Sequence, residues 1–323
     1  MTIKEKVLAL LESYRGEYIS GQELADKLEV SRTAIWKATN ELKEEGYEIQ
    51  GIRNKGYQLS GNLDRLNDGA IRKNLVQELK DINLFIYDEV DSTNTQGKRL
   101  NLEGKLNQWD VVLAEKQSLG KGRSGKSFES PKYGGIYMTI LYRKDKSGLD
   151  PMINTLTTVR GAVATAIGIE EIGNVKPGIK WVNDLYLEGK KICGILTEGD
   201  LDIENGKITD IYLGIGINVH TKREEFSQEI KDIAGSIQKD IFRNDLISRI
   251  LNNLYEMENW TEDRIIKEYK KRSILLGKEI IYEKNGKKID GVAKDINEQG
   301  HLIVETNGQE ECLIAGEVNI KKF

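Results

Sequence analysis

The segment Gly120-Lys121-Gly122-Arg123-Ser124-Gly125-Lys126 concentrates groups that can hold an anion. Three glycines within it free the backbone to approach a ligand, and Lys116 to Lys126 contain four cations and no acid. Such a loop suits phosphate or carboxylate. It is not a Walker A loop, because the glycine before Lys126 lies three positions after Gly122 and no strand-to-helix context is evident. A flexible basic surface turn would have the same composition. In Lys180-Trp181-Val182-Asn183-Asp184-Leu185-Tyr186, followed by Lys190-Lys191-Ile192-Cys193-Gly194, a strand end, a polar turn and a returning strand bring a carboxylate and a lysine to one sheet edge. Asn-Asp is equally an ordinary hairpin turn. Gly214-Ile215-Gly216-Ile217-Asn218 places alternate glycines on one strand face, either for close approach of a flat ligand or for a β-bulge or tight packing. Asp91-Ser92-Thr93-Asn94-Thr95 offers hydroxyls and an amide for polar ring atoms, or an N-cap. Phe128 suits stacking on a base or a place in the core.

These segments need a frame. Ile3, Val7, Leu10, Leu11 and Tyr14 recur at helical spacing, and Ser20-Gly21-Gln22-Glu23 forms a capping box for a second short helix. Ser31 can cap a third, with Ile35, Ala38 and Leu42 on one face. Alternation at 47–50 and 57–59 around Arg53-Asn54-Lys55-Gly56 adds a hairpin, so the first sixty residues read as a winged helix-turn-helix. Their nine basic and ten acidic side chains do not draw DNA by bulk charge, but Arg32, Thr33, Trp36 and Lys37 open the third helix and Arg53 and Lys55 occupy the wing tip. The same unit would also serve as a three-helix protein-interaction module. Strands at 84–87, 111–114, 136–142, 192–196 and 208–217 interleave with helices at 155–169 and 243–271, giving a mixed α/β or α+β domain. From about Leu276, short β runs separated by Asn285-Gly286, Gln299-Gly300 and Asn307-Gly308 predict a small barrel. The overall class is α+β, with domain limits expected at 1–62, 63–274 and 275–323.

Composition narrows the chemistry. In 323 residues, 48 Lys plus Arg stand against 52 Asp plus Glu, so any nucleic-acid contact must be local. The two His (His220, His301) and two Cys (Cys193, Cys312) are far apart in sequence and allow no zinc spacing, CxxC motif or disulfide framework. The longest run free of Asp, Glu, Lys and Arg, Ile211 to Thr221, is far short of the roughly 18 apolar residues of a membrane span. The expectation is a soluble, reduced, cytoplasmic protein.

The order winged helix, DSTN, AEKQSLGKGRSGK, KWVNDLY, KKICGIL, GIGIN and terminal barrel resembles the bifunctional biotin protein ligase and biotin operon repressor family over essentially the whole chain. The resemblance implies a central class II synthetase-like domain, an SH3-like barrel and a DNA-binding domain in front. It also implies biotin and ATP as substrates, Mg²⁺, a biotin carboxyl carrier protein as acceptor, operator DNA and a ligand-promoted homodimer. By motif match, Ser92, Thr93, Asn94 and Gln117 would hold the ureido ring, and Gly194, Gly214 and Gly216 would clear room beside the bicycle. Lys121, Gly122, Arg123 and Lys191 would face the carboxylate, Lys191 and Arg123 as the catalytic pair. Arg123, Ser124, Lys126, Phe128, Asn183, Asp184 and Asn218 would serve ATP, with Asp184 on the metal. Gln22, Ser31, Arg32, Thr33, Trp36, Lys37, Arg53 and Lys55 would meet DNA.

Three departures accompany the likeness. Lys121, Ser124 and Lys126 replace arginines of the usual GRGRRGR loop, keeping most charge but losing planar forks. Val182 stands where proline is usual and Phe128 where a tryptophan is. A scarcity of His and Cys agrees with adenylation by positioning and charge, since the nucleophiles belong to the substrates. The rivals are a non-catalytic ligand-sensing DNA regulator and a lipoate-type ligase.

Overall fold

The computed structural model describes all residues except 1, 15, 45, 46, 48, 53, 54, 60–63, 144–152, 203–206, 285, 322 and 323. Two compact units emerge, Met1–Leu75 and Val76–Phe323.

In the first unit, helices α1 (Ile3–Ser13), α2 (Gly21–Leu28) and α3 (Arg32–Glu44) precede a hairpin of β1 (Ile49–Ile52) and β2 (Gly56–Leu59). Val7, Leu8, Leu11, Leu24, Ile35, Ala38 and Leu42 interlock as the core. Ile3, expected on the apolar face, is instead 43% exposed, because the buried stripe of α1 runs through Val7, Leu8 and Leu11. Only half of the expected box at Ser20 forms. Its Oγ accepts from the Glu23 N–H at 3.0 Å, while the Glu23 carboxylate lies 3.8 Å from Lys27; the complete box is at Thr2 and Glu5. Ser31 Oγ accepts from the Ala34 N–H at 3.1 Å, capping α3 as expected. Gly56 has φ +104°, and a Cβ there would lie 2.2 Å from the Ile19 carbonyl oxygen, so the returning strand requires glycine. A short helix α4 (Asp68–Lys73), capped by Asn67, packs on α1.

The second unit is built on a seven-stranded sheet, comprising β3 (Leu84–Tyr87), β4 (Val111–Ala114), β5 (Gly135–Tyr142), β6 (Gly178–Lys180), β7 (Asp184–Leu187), β8 (Lys190–Asp202) and β9 (Lys207–Asn218). Their order is β3-β4-β5-β9-β8-β7-β6, with only β3 and β4 parallel. All eight residues of β5 are buried, as a strand covered on both faces requires. Helix α5 (Thr93–Leu102) brings Gly97 onto Val112, Thr139 and Tyr212. Helix α6 (Ile153–Gly173) brings Gly161 onto Leu213 and Ile195. Tyr212 and Leu213 are adjacent in a strand, so α5 and α6 lie on opposite faces, and Gly214 and Gly216 share the α5 face with Tyr212.

The helix expected over 243–271 is two, α7 (Arg243–Glu256) and α8 (Glu262–Arg272). Thr261 restarts it by accepting from the Arg264 N–H, with Glu262 and Asp263 in the first turn. Strands β10 (Glu279–Lys284), β11 (Lys287–Ile296), β12 (Leu302–Thr306), β13 (Gln309–Leu313) and β14 (Val318–Ile320) form an antiparallel sheet ordered β13-β12-β11-β10-β14. Asn307 and Gly308, with φ of 52° and 77°, make the tight turn expected of an Asn-Gly pair. The turn at Asn285 lies outside the described residues. Among the described residues, no helix is long and apolar enough to cross a membrane.

Candidate active site

Two adjoining cavities meet at Lys121 and Leu196, the first on the α5 face of the sheet and the second reaching Thr155 and Thr158 of α6. The first is lined by Ser92, Thr93, Asn94, Gln117, Lys121, Phe128, Tyr137, Gly194, Leu196, Gly214 and Gly216, with the Ile215 backbone region between the glycines. The second, a wide cleft of about 680 Å³, is lined by the 121–126 loop, Thr155, Thr158, Val182, Ile195–Glu198, Ile314 and Ala315. The four motif segments therefore converge, and Ile314 and Ala315 beyond β13 add a wall.

The first cavity is held rigid by hydrogen bonds. Ser92 occupies the N-cap position of α5 but makes no capping bond, which leaves its hydroxyl for the cavity it lines. Gln117 Oε1 accepts from the Thr93 N–H at 2.8 Å and its hydroxyl at 3.2 Å, while Nε2 donates to Ser130 Oγ at 2.8 Å. Asn94 Nδ2 donates to Glu198 at 2.8 Å, and Oδ1 accepts from the Thr139 hydroxyl at 2.6 Å. These contacts fix which way each amide points. The paired glycines Gly194 and Gly216 form a flat floor. A Cβ on Gly214 would lie 2.3 Å from Asn94 Oδ1, and one on Gly216 would lie 2.7 Å from the Phe128 ring. Close approach by side chains, rather than a bulge, is thus what these glycines permit.

Lys121, Arg123, Lys126 and Glu198 bring charge into the second cavity, and further ion pairs lie beside it. Arg123 Nη1 donates to Asn183 Oδ1 at 3.1 Å, joining two segments sixty residues apart, and Asn183 Nδ2 donates to the Ile195 carbonyl. Lys191 Nζ lies 2.7 Å from Asp184 Oδ1, and 3.4 Å from where a Gly194 Cβ would be. This short charge-assisted contact engages one lone pair of the buried oxygen. Lys126 is paired with Glu317, whose carboxyl is held below its ordinary value first by that hydrogen bond. Burial lowers the pKa of Lys180, which donates to Asn319 at 2.9 Å. Glu198 is also depressed: burial opposes ionisation, but hydrogen bonds from Asn94 and Lys98 and the charges of Lys98 and Lys121 outweigh it.

Several expected ligands sit elsewhere: Lys191, Asn183 and Asp184 line neither cavity and lie beside them, Asn183 bonded to Arg123 and Lys191 against Gly194. Phe128 lies over Gly216 and Gly194, edge-on to Tyr137 at 6.3 Å, and so lines the first cavity rather than the cleft. Asn218 lines neither cavity; it is 4% exposed, donates to the Gly235 carbonyl at 3.0 Å, and leaves Oδ1 without a partner. Thr139 and Glu198, which orient Asn94, and the Lys98 paired with Glu198 at 2.9 Å, carry no motif in the sequence. Cys193 is fully buried, which pushes its thiol pKa up and disfavours a thiolate. Among the described residues, no three His, Cys, Asp or Glu side chains cluster as a metal site.

On the first unit, Arg32, Thr33, Trp36 and Lys37 are exposed on one side of α3, Trp36 at 59%. Lys55 Nζ lies 5.7 Å from the Tyr18 ring, and Gln22 Nε2 donates to Asp26. Arg53 lies outside the described residues.

Family models match three stretches: an HTH domain over residues 4–58, the biotin/lipoate A/B protein ligase family over 87–218, and the biotin protein ligase C-terminal domain over 275–320. The class is thus a ligase domain joined to a helix-turn-helix domain. The chain is 32% identical to the bifunctional ligase/repressor BirA of Bacillus subtilis (strain 168), over 95% of each chain. Against the protein of that name from Escherichia coli (strain K12) it is 28% identical, over 99% of this chain and 98% of the relative. A biotin protein ligase from Aquifex aeolicus, solved in complex with biotin and ATP, superposes with a TM-score of 0.60 at 27% identity, covering 74% of this chain and 98% of that one. The chain belongs to the family of bifunctional biotin protein ligases and repressors.

Proposed function

We propose that the chain is an ATP-dependent biotin protein ligase that forms biotinyl-5′-AMP, transfers biotin to a lysine of a biotin carboxyl carrier protein, and represses transcription in response to biotin. The observation that carries this reading is the adjacency of the two cavities: an amide- and hydroxyl-lined pocket over a glycine floor, opening beside a cationic cleft. The first suits a small polar bicycle and the second a triphosphate. Ser92, Thr93, Asn94 and Gln117 would hold the ureido group, with Gly194, Gly214 and Gly216 under the ring. The carboxylate would reach past Lys121 toward the α-phosphorus. A carboxylate oxygen then bonds to phosphorus while the bond to the pyrophosphate oxygen breaks, and Arg123, Lys191, Lys121 and Lys126 neutralise the charge on both partners. Ser124 and Asn183 border the phosphates, and Phe128 covers the ring. In the second step the carrier amine attacks the acyl carbon and AMP departs.

Asp184, a mostly buried carboxylate next to Asn183 with its Oδ1 paired to Lys191, would be the protein carboxylate for a magnesium ion, which takes one or two carboxylates together with substrate phosphates. The ion would supply further neutralisation of the triphosphate.

In the finer architecture, residues 1–62 form a winged helix-turn-helix domain, 63–274 a class II synthetase-like domain and 275–323 an SH3-like barrel. Gln22, Ser31, Arg32, Thr33, Trp36, Lys37, Arg53 and Lys55 would contact operator DNA. One winged helix reads little sequence alone, so a homodimer promoted by biotinyl-5′-AMP would read a paired site. Sedimentation velocity is expected to show self-association rising with biotin and MgATP; an unchanged distribution would count against it. The setting is the cytoplasm, where ATP and carrier protein occur together.

Biotin-dependent exchange of pyrophosphate into ATP tests the first step, with lipoate as competitor. Exchange driven by biotin supports the reading; exchange driven by lipoate alone overturns it. Gly214→Ala is expected to raise the biotin concentration for half-maximal exchange about 10–100-fold, because overpacking costs roughly 1–3 kcal/mol. The added methyl would drive into the Asn94 amide.

A further inference from the structure

Glu198 is the one acid among the described residues that line the cationic cleft. Both of its carboxylate oxygens are engaged: Oε2 accepts from Asn94 Nδ2 at 2.8 Å and Oε1 from Lys98 Nζ at 2.9 Å. The two donors stand one turn apart on α5, and Lys98 Nζ also lies 5.6 Å from the centre of the Tyr212 ring on β9. Glu198 thus borders one cavity and grips a residue of the other, since Asn94 lines the ring pocket. Burial opposes its ionisation, yet the hydrogen bonds from Asn94 and Lys98 and the charges of Lys98 and Lys121 keep the carboxyl below its ordinary value.

An ionised carboxylate and a backbone carbonyl can only accept hydrogen bonds. Asn94 Nδ2 faces one of each, Glu198 Oε2 at 2.8 Å and the Leu196 carbonyl at 3.4 Å, so turning the amide over would set its oxygen against two acceptors. Oδ1 is consequently left on the side of the Thr139 hydroxyl, 2.6 Å away, and of Gly214, where an added Cβ would lie 2.3 Å from it. The ring pocket therefore receives an acceptor, which a ring N–H can meet and a ring sulfur or methylene cannot. We propose that Glu198 and Lys98 act together as positioning residues, holding the Asn94 amide with Oδ1 toward the ligand so that the pocket selects a ring bearing an N–H donor. The inference rests on the ligase reading. A carboxylate is needed at 198 because Asn94 Nδ2 and Lys98 Nζ require two acceptor oxygens and an amide side chain has only one. With Lys98 replaced by an apolar residue, one acceptor would suffice.

The test measures pyrophosphate exchange by the full chain against biotin and against ATP separately, for the wild type, Glu198→Gln and the double variant Glu198→Gln with Lys98→Met. Glu198→Gln should raise the biotin concentration for half-maximal exchange about tenfold, the scale of one mispaired hydrogen bond. The corresponding ATP concentration should not rise, because the change removes an acid from the phosphate cleft. Adding Lys98→Met should bring the biotin value back to within about threefold of wild type, a non-additive recovery expected only of side chains that act through one another. A biotin value unchanged in Glu198→Gln, a double variant no better than the single, or ATP and biotin values rising in parallel would overturn the proposal. Should Glu198→Gln alone not fold, the double variant decides: recovery supports the pairing, and a biotin value about tenfold above wild type or more overturns it. Absence of biotin-dependent exchange in the wild type would instead overturn the ligase reading.

Discussion

Lys191→Ala is expected to slow biotin-dependent pyrophosphate exchange by about 10²–10³-fold, the usual loss when one group stabilising transition-state charge is removed. The side chain is one-third exposed, its ammonium 2.7 Å from Asp184 and next to the Gly194 floor and Phe128. Two anions must approach there for the carboxylate to meet the α-phosphorus, and a fixed cation lowers that repulsion most as charge concentrates between them. Folding should change little, by within about 1 kcal/mol, because a partly exposed ion pair contributes little. Lys191→Arg should fall between, since a planar fork replaces a point charge. Exchange rates with thermal melts of the three proteins decide this. A wild-type rate in Lys191→Ala would remove Lys191 from the chemistry.

The largest stability effect is expected away from the cavities. Arg243 on α7 is fully buried, its Nη1 2.8 Å from Glu115 and 2.8 Å from the Gly135 carbonyl. It thereby ties the helix behind the sheet to the end of β4 and the start of β5. Arg243→Met leaves a carboxylate, 7% exposed, without this cation, and such a loss costs about 3–5 kcal/mol. For a unit of this size that is a fall in Tm of roughly 6–20 °C. Replacing Glu115 with Gln in the same chain should recover much of it, because the stranded charge is gone. Glu115 immediately precedes Lys116 and Gln117, so the single variant should also weaken biotin use. A loss below about 1 kcal/mol in denaturant titrations would contradict the account.

What could be read from sequence followed local physics. Caps at Ser20 and Ser31, the hairpin of Asn307 and Gly308 and the strands 84–87 and 111–114 each depend on a few adjacent residues. The motif segments also converge as expected, Arg123 meeting Asn183 and Lys191 meeting Asp184. Non-local partners were not legible. Thr139 and Glu198 orient Asn94 from β5 and β8, and neither has a flanking pattern that announces it. Helix α5 was hidden because Thr93–Leu102 is mostly polar and buries mainly Thr93, Asn94, Gly97 and Leu100. The break after α7 has no apolar signature, because the apolar spacing continues through Met257 into α8, where the cap at Thr261 prevails. For the alternate glycines, sequence left ligand approach, bulge and packing open; the Asn94 amide and Phe128 ring over them decide for close approach.

The central claim is that these two cavities activate biotin and deliver it to a carrier lysine. Incubation of the purified chain with biotin, MgATP and a biotin carboxyl carrier domain, followed by intact-mass measurement of that domain, tests it most directly. The account predicts one biotinyl group on the acceptor, dependent on both ATP and biotin and lost when the acceptor lysine is replaced by arginine. An acceptor of unchanged mass, under conditions where the chain binds biotin, would contradict it and leave a sensor without the ligase.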